Sequence, residues 1–173
     1  MVEAFPVGCS VLVLFLYVLS FFRILSVSDY VAVAIVAAAL IYAIASYRKS
    51  KTHGRDILRF AFRELFSPSA LTALAMVMVV TVCVGAKAVS WWDDYNFWAT
   101  DVKSLFYLDG FAGRYANVAP EFGDYPPGTQ MMKWWFLHFS PGEFKEGLLF
   151  GGYYFMNLCF LFPLLRRMKK RNI

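Results

Sequence analysis

Four long apolar runs, separated by polar connections, organise the chain. They cover residues 5–22, 30–47, 70–89 and 148–165. Each run has close to the roughly 20 apolar residues that an α-helix needs to cross a hydrocarbon core about 30 Å thick. The first two runs are separated by a short polar turn, which predicts a tight helical hairpin. The pattern therefore predicts an all-α integral membrane protein with about four transmembrane helices.

The polar connections differ in charge, and this difference predicts the topology. Residues 48–55 and 166–171 are strongly basic, whereas residues 90–147 contain eight Asp and Glu against four Lys and Arg. Basic loops stay on the cytoplasmic side of a membrane. Both termini are therefore predicted to be cytoplasmic, with one large extracytoplasmic loop. The predicted regions are three spans in 1–89 with a basic loop near 48–67, the outer loop in 90–147, and a fourth span with its basic tail in 148–173.

Composition supports the interpretation as a membrane protein and argues against a nucleic-acid-binding protein. Apolar residues make up 60% of the chain and aromatic residues 19%, more than a soluble domain of 173 residues can cover with polar surface. The net charge of +5 is explained by the basic membrane loops, so no nucleic-acid partner is predicted. No positively charged segment precedes the first run, which favours a retained helix over a cleaved signal peptide. We expect a multi-pass protein of a prokaryotic cytoplasmic membrane, in contact with membrane lipid.

The outer loop is predicted to contain two helices that lie at the membrane interface. The first covers residues 94–108, and it places Asp94, Trp98 and Asp101 on one face by their spacing of four and seven residues. The second covers residues 129–139. We expect the apolar side chains of these two helices to cover the membrane surface; they are Phe97, Leu105, Phe106, Met131, Met132, Trp134, Trp135 and Phe136.

The outer loop starts with the pair Asp93-Asp94 directly after an outward-going span and continues with an interfacial helix that contains Trp and Lys. The segment Asp124-Tyr125-Pro126-Pro127-Gly128 then precedes a second such helix. This pattern, over about residues 90–139, resembles the first extracytoplasmic loop of GT-C superfamily glycosyltransferases. It implies a multi-pass enzyme that moves a sugar from a polyprenyl-phosphate carrier to an acceptor in the cell envelope.

The resemblance also implies roles for individual residues. Asp94 is expected to be the catalytic base, with Asp93 the second choice, because an acceptor hydroxyl needs a carboxylate within hydrogen-bond reach. Asp124 matches the region of a second functional acid. The candidates for holding the substrate, above all the lipid phosphate, are Lys103, Arg114, Tyr125, Lys133 and His138. No cofactor is predicted, although a divalent cation on Asp94 and Asp124 stays open.

Two departures from the family pattern leave alternatives open. GT-C enzymes have more spans, and their loop commonly follows the first span, so this chain is either a truncated or N-terminal piece or a subunit that a second membrane chain completes. The competing function is a small non-catalytic multi-pass protein that acts as an assembly partner or a flippase-like subunit. In that case the acid-rich loop is a solvated connector or a partner site. Asp93 and Asp94 then end a helix at the membrane surface, and Lys103 and Lys133 contact the surface or lipid headgroups.

Overall fold

The computed structural model describes residues 2–49, 51–113 and 127–167, and these residues are all-helical, without strands. The α-helices are α1 (Phe5–Phe21), α2 (Val27–Lys49), α3 (Lys51–Leu65), α4 (Pro68–Val84), α5 (Ala99–Leu108), α6 (Gly128–Phe136) and α7 (Glu146–Leu161). A π-helical segment, Asp94–Trp98, leads into α5. Short 3-10 turns, Val2–Ala4, Leu137–Phe139 and Phe162–Arg167, extend α1, α6 and α7.

Within the described residues, three stretches are long and apolar enough to cross a membrane. They are Val2–Phe21, Val27–Arg48 and Glu146–Arg166, which correspond to the first, second and fourth predicted spans. The third predicted span is shorter than expected. Its helix, α4, has 17 residues and extends about 25 Å, less than a hydrocarbon core of about 30 Å. It reaches the length of a span only together with Arg55–Leu65, at a bend of 50°.

Local interactions explain where α4 begins and ends. Ser67 caps its N-terminus, because the Ser67 hydroxyl accepts a hydrogen bond from the Ala70 amide at 3.3 Å. The helix ends at Val84, five residues earlier than the apolar run. Beyond it, the Val89 amide donates to the Glu146 carboxylate at 2.7 Å instead of to a helical carbonyl. Residues 85–89 thus run beside the start of α7.

The prediction that the apolar side chains of α6 cover the membrane surface is wrong for Met131, Met132, Trp134 and Phe136. Met131 and Met132 have no exposed surface, and Trp134 and Phe136 are also buried in the protein. Their side chains pack among those of α1 and α7. In α5, Leu105 is likewise buried in the protein core rather than spread on a membrane. The apolar face of an amphipathic helix is satisfied by protein as well as by lipid, so its periodicity does not distinguish the two.

The contact between α6 and α7 depends on a glycine. A Cβ atom at Gly152 would lie 2.5 Å from the Met132 carbonyl oxygen and 2.8 Å from the Lys133 Cα atom. The two backbones therefore touch at a distance that only glycine allows. Small residues allow this kind of close approach between helices in membranes.

Hydrogen bonds that involve side chains connect the turn between α1 and α2 to the end of α5. The Asp109 carboxylate accepts hydrogen bonds from the Ser26 amide at 2.8 Å and from the Ser26 hydroxyl at 2.7 Å. The Arg23 guanidinium donates to the Phe111 carbonyl at 2.9 Å. At the opposite end of α1, just before its first residue, Glu3 pairs with Arg166 at 2.9 Å.

We predict that Gly152→Ala lowers the free energy of unfolding by about 1–3 kcal/mol, because the added methyl group overpacks a backbone contact. Thermal unfolding of the detergent-solubilised protein, followed by circular dichroism, measures the change. Gly8→Ala is the matched control, since a Cβ atom at Gly8 in α1 meets nothing within 4 Å. Equal melting temperatures for Gly152→Ala and the parent chain would contradict the described packing.

Candidate functional site

A cavity of about 440 Å³ lies where the π-helical segment, α6 and α7 meet. Asp94 and Trp98 line it from the π-helical segment, and Thr129 and Lys133 line it from α6. From α7 the lining residues are Phe150, Tyr153 and Tyr154. The cavity thus combines one carboxylate and one ammonium group with several aromatic rings.

The π-helical segment sets the direction in which Asp94 and Trp98 point. Its wider turn is marked by the Ala99 amide, which donates to the Asp94 carbonyl five residues earlier. Side chains hydrogen-bond to neighbouring carbonyls here: the Asn96 amide donates to the Trp92 carbonyl at 2.8 Å, and Thr100 donates to the Tyr95 carbonyl. Single π-helical turns inside α-helices are frequent at functional sites. Asp94 and Trp98 share the cavity wall, as the spacing of the sequence predicts.

Lys133 is the cationic group of the cavity. Its Nζ atom lies 6.0 Å from the centre of the Trp98 ring and 5.9 Å from that of Tyr153. Aromatic faces at this distance attract a cation. Burial lowers the pKa of the Lys133 ammonium below its ordinary value, and the carboxylates of Asp94 and Asp101 oppose that shift. Lys133 is therefore a partly desolvated cation that the carboxylates of Asp94 and Asp101 stabilise.

Asp101 lies behind the cavity and is almost fully buried, with 3% of its surface exposed. The Gln130 side-chain amide donates to its Oδ2 atom at 3.5 Å, and the Thr129 hydroxyl in turn donates to the Gln130 Oε1 atom at 2.8 Å. Buried carboxylates are retained where polar partners satisfy them. This small polar group connects α5 with α6 beneath Lys133.

The remaining predicted site residues lie elsewhere in the described structure. Asp93 is exposed and lies outside the cavity lining, although it is adjacent to Asp94. The Lys103 Nζ atom lies 5.4 Å from the centre of the Phe144 ring, away from the cavity. The candidates that fall outside the described residues are Arg114, Asp124 and Tyr125.

His138 takes part in a separate contact at the N-terminal end of α2. Its Nε2 atom lies 2.9 Å from the Asp29 carboxylate, and its Nδ1 atom lies 2.9 Å from the Trp135 carbonyl oxygen. Both ring nitrogens therefore already face oxygen atoms of the protein. The structure places His138 in the attachment of α2 to α6, apart from Asp94 and Lys133.

No role is predicted from the sequence for Gln130, which donates to Asp101, or for the α7 residues that line the cavity with Lys133. Phe150, Tyr153 and Tyr154 belong to an apolar run that predicts a membrane span, so their position on the cavity wall was not expected. One signal was present: two hydroxyl-bearing rings directly follow Gly151-Gly152. Gly152 lies at the close contact between α7 and α6. Tyr153 and Tyr154, which follow it in the sequence, line the cavity.

The cavity has the means to bind an anion beside a proton acceptor. Lys133 supplies a cation that is poorly hydrated, and Asp94 supplies a carboxylate at the same wall. Among the residues that the structure describes, no three His, Cys, Asp or Glu side chains are grouped so as to hold a metal ion. Comparison with protein-family models, with curated proteins and with solved structures found no match to this chain.

We predict that the Lys133 amine reacts with acetic anhydride at a lower pH than the exposed amine of Lys103, because burial lowers the pKa of Lys133. Asp94→Asn removes a negative charge that raises this pKa, so the reaction of Lys133 moves to still lower pH. Mass spectrometry of labelled peptides across a pH series gives both midpoints in one sample. An unchanged or higher midpoint for Lys133 in Asp94→Asn would contradict the described electrostatics.

Proposed function

We propose that this chain is a GT-C type membrane glycosyltransferase, or part of one, that transfers a sugar from a polyprenyl-phosphate carrier to an extracytoplasmic acceptor. The observation that carries the proposal is the shared cavity of Asp94 and Lys133, walled by Trp98, Tyr153 and Tyr154. The chemistry of this cavity suits the activity that the resemblance of residues 90–139 implies. Four of the seven lining residues, Asp94, Trp98, Thr129 and Lys133, belong to the segment that carries the resemblance.

The proposed reaction assigns one role to each charged group. Asp94 accepts the proton of the acceptor hydroxyl as its oxygen attacks the anomeric carbon of the sugar. The bond between that carbon and the phosphate oxygen breaks, and the polyprenyl phosphate leaves with the bonding electrons. Lys133 stabilises the negative charge that develops on the phosphate, and it does so strongly because the cavity is partly shielded from water.

The aromatic rings of this cavity suit the sugar of such a substrate, and a separate apolar cavity suits its lipid chain. Trp98 and the two tyrosines offer ring faces and hydroxyl groups, which together bind the apolar faces and the polar edges of sugars. A second cavity of about 510 Å³, walled by apolar side chains of α4, α6 and α7, includes Met78, Trp135 and Phe155. A hydrocarbon chain of a carrier lipid fits the chemistry of these walls.

In this proposal, the residues outside the described structure complete the site. Asp124 is the second acid, and Tyr125 and Arg114 contact the substrate. The proposed cavity lies on the extracytoplasmic face of a cell membrane, with both termini in the cytoplasm, and the basic character of residues 48–55 and 166–171 supports this orientation. Because α2 exposes apolar side chains along most of its length, a second membrane chain that supplies further helices has a surface to pack on.

We predict that Asp94→Asn reduces sugar transfer by about 10²–10⁴-fold, because it removes the proton acceptor without changing the size of the side chain. The assay follows the consumption of radiolabelled polyprenyl-phosphate sugars by membranes that contain the intact chain. Glu143→Gln is the control, since Glu143 is an exposed acid of the same loop that pairs with Lys145. Equal consumption by the parent chain and Asp94→Asn, or none by the parent, would favour the non-catalytic assembly partner.

Binding tests the role of Lys133 independently of turnover. Native mass spectrometry of the purified chain is expected to show tighter binding of a polyprenyl phosphate than of the corresponding polyprenol, which lacks the anion. Lys133→Gln removes this preference, whereas Lys103→Gln keeps it, because Lys103 lies outside the cavity. A phosphate preference that survives Lys133→Gln would remove Lys133 from the proposed site.

A further inference from the structure

The second half of α3 leaves large apolar side chains uncovered. Phe60, Phe62 and Leu65 of this helix, and Phe66 directly after it, each expose between 54% and 60% of their surface. The main contacts of α3 are with α2 and α4, which precede and follow it in the chain. Apolar side chains that are exposed together in this way indicate a surface that binds another apolar phase.

The polar and apolar residues of α3 lie on opposite sides of the helix. Basic residues repeat at intervals of four along one side, at Arg55, Arg59 and Arg63. Apolar residues repeat at the same interval two positions later, at Ile57, Ala61 and Leu65. Two positions correspond to about 200° around a helix of 3.6 residues per turn, so the two rows face in opposite directions.

Two of these arginines are available to an anion. Arg59 and Arg63 are exposed, and neither forms an ion pair with any residue that the structure describes. The Arg63 guanidinium lies 5.9 Å from the centre of the Phe60 ring, so cation and aromatic ring are neighbours on the helix surface. Residues 48–64 contain six Lys and Arg against two acids, which makes this region attractive to negative charge.

The chain on both sides keeps α3 close to a membrane. The candidate span Val27–Arg48 precedes it, and the apolar helix α4 follows it. Charged side chains occur in every turn of α3, and the hydrocarbon core disfavours them. Residues Arg55–Leu65 are also bent by 50° from the direction of α4. The membrane surface is therefore the apolar phase that α3 can reach while its charges stay in water.

We propose that α3 is an interfacial helix that binds anionic phospholipids. Its apolar side enters the boundary between headgroups and acyl chains, and its basic side stays in water. Arg59 and Arg63 hold lipid phosphate groups, since a guanidinium donates two parallel hydrogen bonds to phosphate oxygens. Each basic side chain near a negatively charged leaflet adds to the attraction. This surface does not depend on the proposed glycosyl transfer.

Lipid bound at α3 would also hold the start of α4 in place. The Ser67 hydroxyl donates to the Glu64 carbonyl at 2.8 Å and accepts from the Ala70 amide, so one side chain connects the end of α3 to the start of α4. Leu74 and Met78 of α4 line the apolar cavity of about 510 Å³. The proposed lipid contact would therefore anchor one wall of that cavity at the membrane surface.

The first test measures lipid preference by native mass spectrometry of the purified full chain in detergent. Dioleoyl-phosphatidylglycerol and dioleoyl-phosphatidylcholine are added in equal amounts, because they share acyl chains and differ in headgroup charge. The parent chain is expected to prefer phosphatidylglycerol, and Arg59→Gln with Arg63→Gln lowers this preference about tenfold. Lys103→Gln with Lys145→Gln removes the same charge elsewhere and keeps the preference, as does Lys133→Gln at the proposed carrier site. No preference in the parent chain, or an equal one in the arginine variant, would overturn the proposal.

Arg59→Lys with Arg63→Lys keeps both positive charges and is expected to retain most of the preference. A loss as large as that of the glutamine variant would overturn charge as the basis of binding. Circular dichroism verifies that the variants keep the helical content of the parent chain.

The second test locates α3 in vesicles made of the same two lipids. A fluorescent maleimide is attached at Ala61→Cys, on the apolar side, in a Cys83→Ser chain whose other two cysteines are buried. Brominated acyl chains are expected to quench this label more than the same label at Asp56→Cys, which lies beside the arginine row. Quenching at neither position would overturn the membrane contact and favour an acidic protein segment as the partner. Equal strong quenching at both would place α3 inside the hydrocarbon core and overturn its interfacial position.

Discussion

The packing of α6 between α1 and α7 is the constraint on which the rest of the structure depends. Gly152 allows the backbone of α7 to touch that of α6 at Met132 and Lys133. This contact buries the methionines of α6 in the bundle and turns Lys133 toward the tyrosines of α7. A side chain at position 152 would separate the helices and open the cavity.

The charged groups of the cavity follow from that packing. Lys133 is held away from bulk water, which disfavours its charged form, and Asp94 and Asp101 compensate for part of that cost. Gln130, which lies about one turn before Lys133 on α6, donates a hydrogen bond to the buried Asp101 carboxylate. An ammonium group in such surroundings interacts strongly with an anion, because little water has to be displaced. The proposed role of Lys133 at a lipid phosphate depends on this electrostatic setting.

Hydropathy and local sequence signals predict where the helices lie along the chain, but they do not predict which helices pack against one another. The Ser67-Pro68 start of α4 and the end of α5 at Asp109 are visible in the sequence, because capping is a local interaction. The burial of α6 is not visible, since lipid and protein satisfy the same apolar face. Trp91 and Trp134 illustrate the difference: both suggest a membrane interface, yet Trp91 is 77% exposed and Trp134 only 6%.

The site was predictable to a similar extent. The charges of Asp94 and Lys133 and their positions in the loop identify them as candidates. Their placement at one cavity depends on the π-helical segment and on the close helix contact at Gly152. Tyr153 and Tyr154 were hidden in an apolar run, whose hydropathy indicates a span without indicating which side chains face a cavity. The sequence therefore predicts the chemical groups, and the helix packing decides which of them share a space.

Hydrogen exchange of the backbone amides of α6, in the membrane-embedded protein, tests the central claim most directly. If α6 is held between α1 and α7, the amides of residues 131–136 exchange as slowly as those of residues 151–155 in α7. The exposed part of α3, residues 59–65, provides the comparison for a helix with little tertiary protection. Exchange of α6 as fast as that of α3 would contradict the buried position of α6 and, with it, the cavity that joins Asp94 to Lys133.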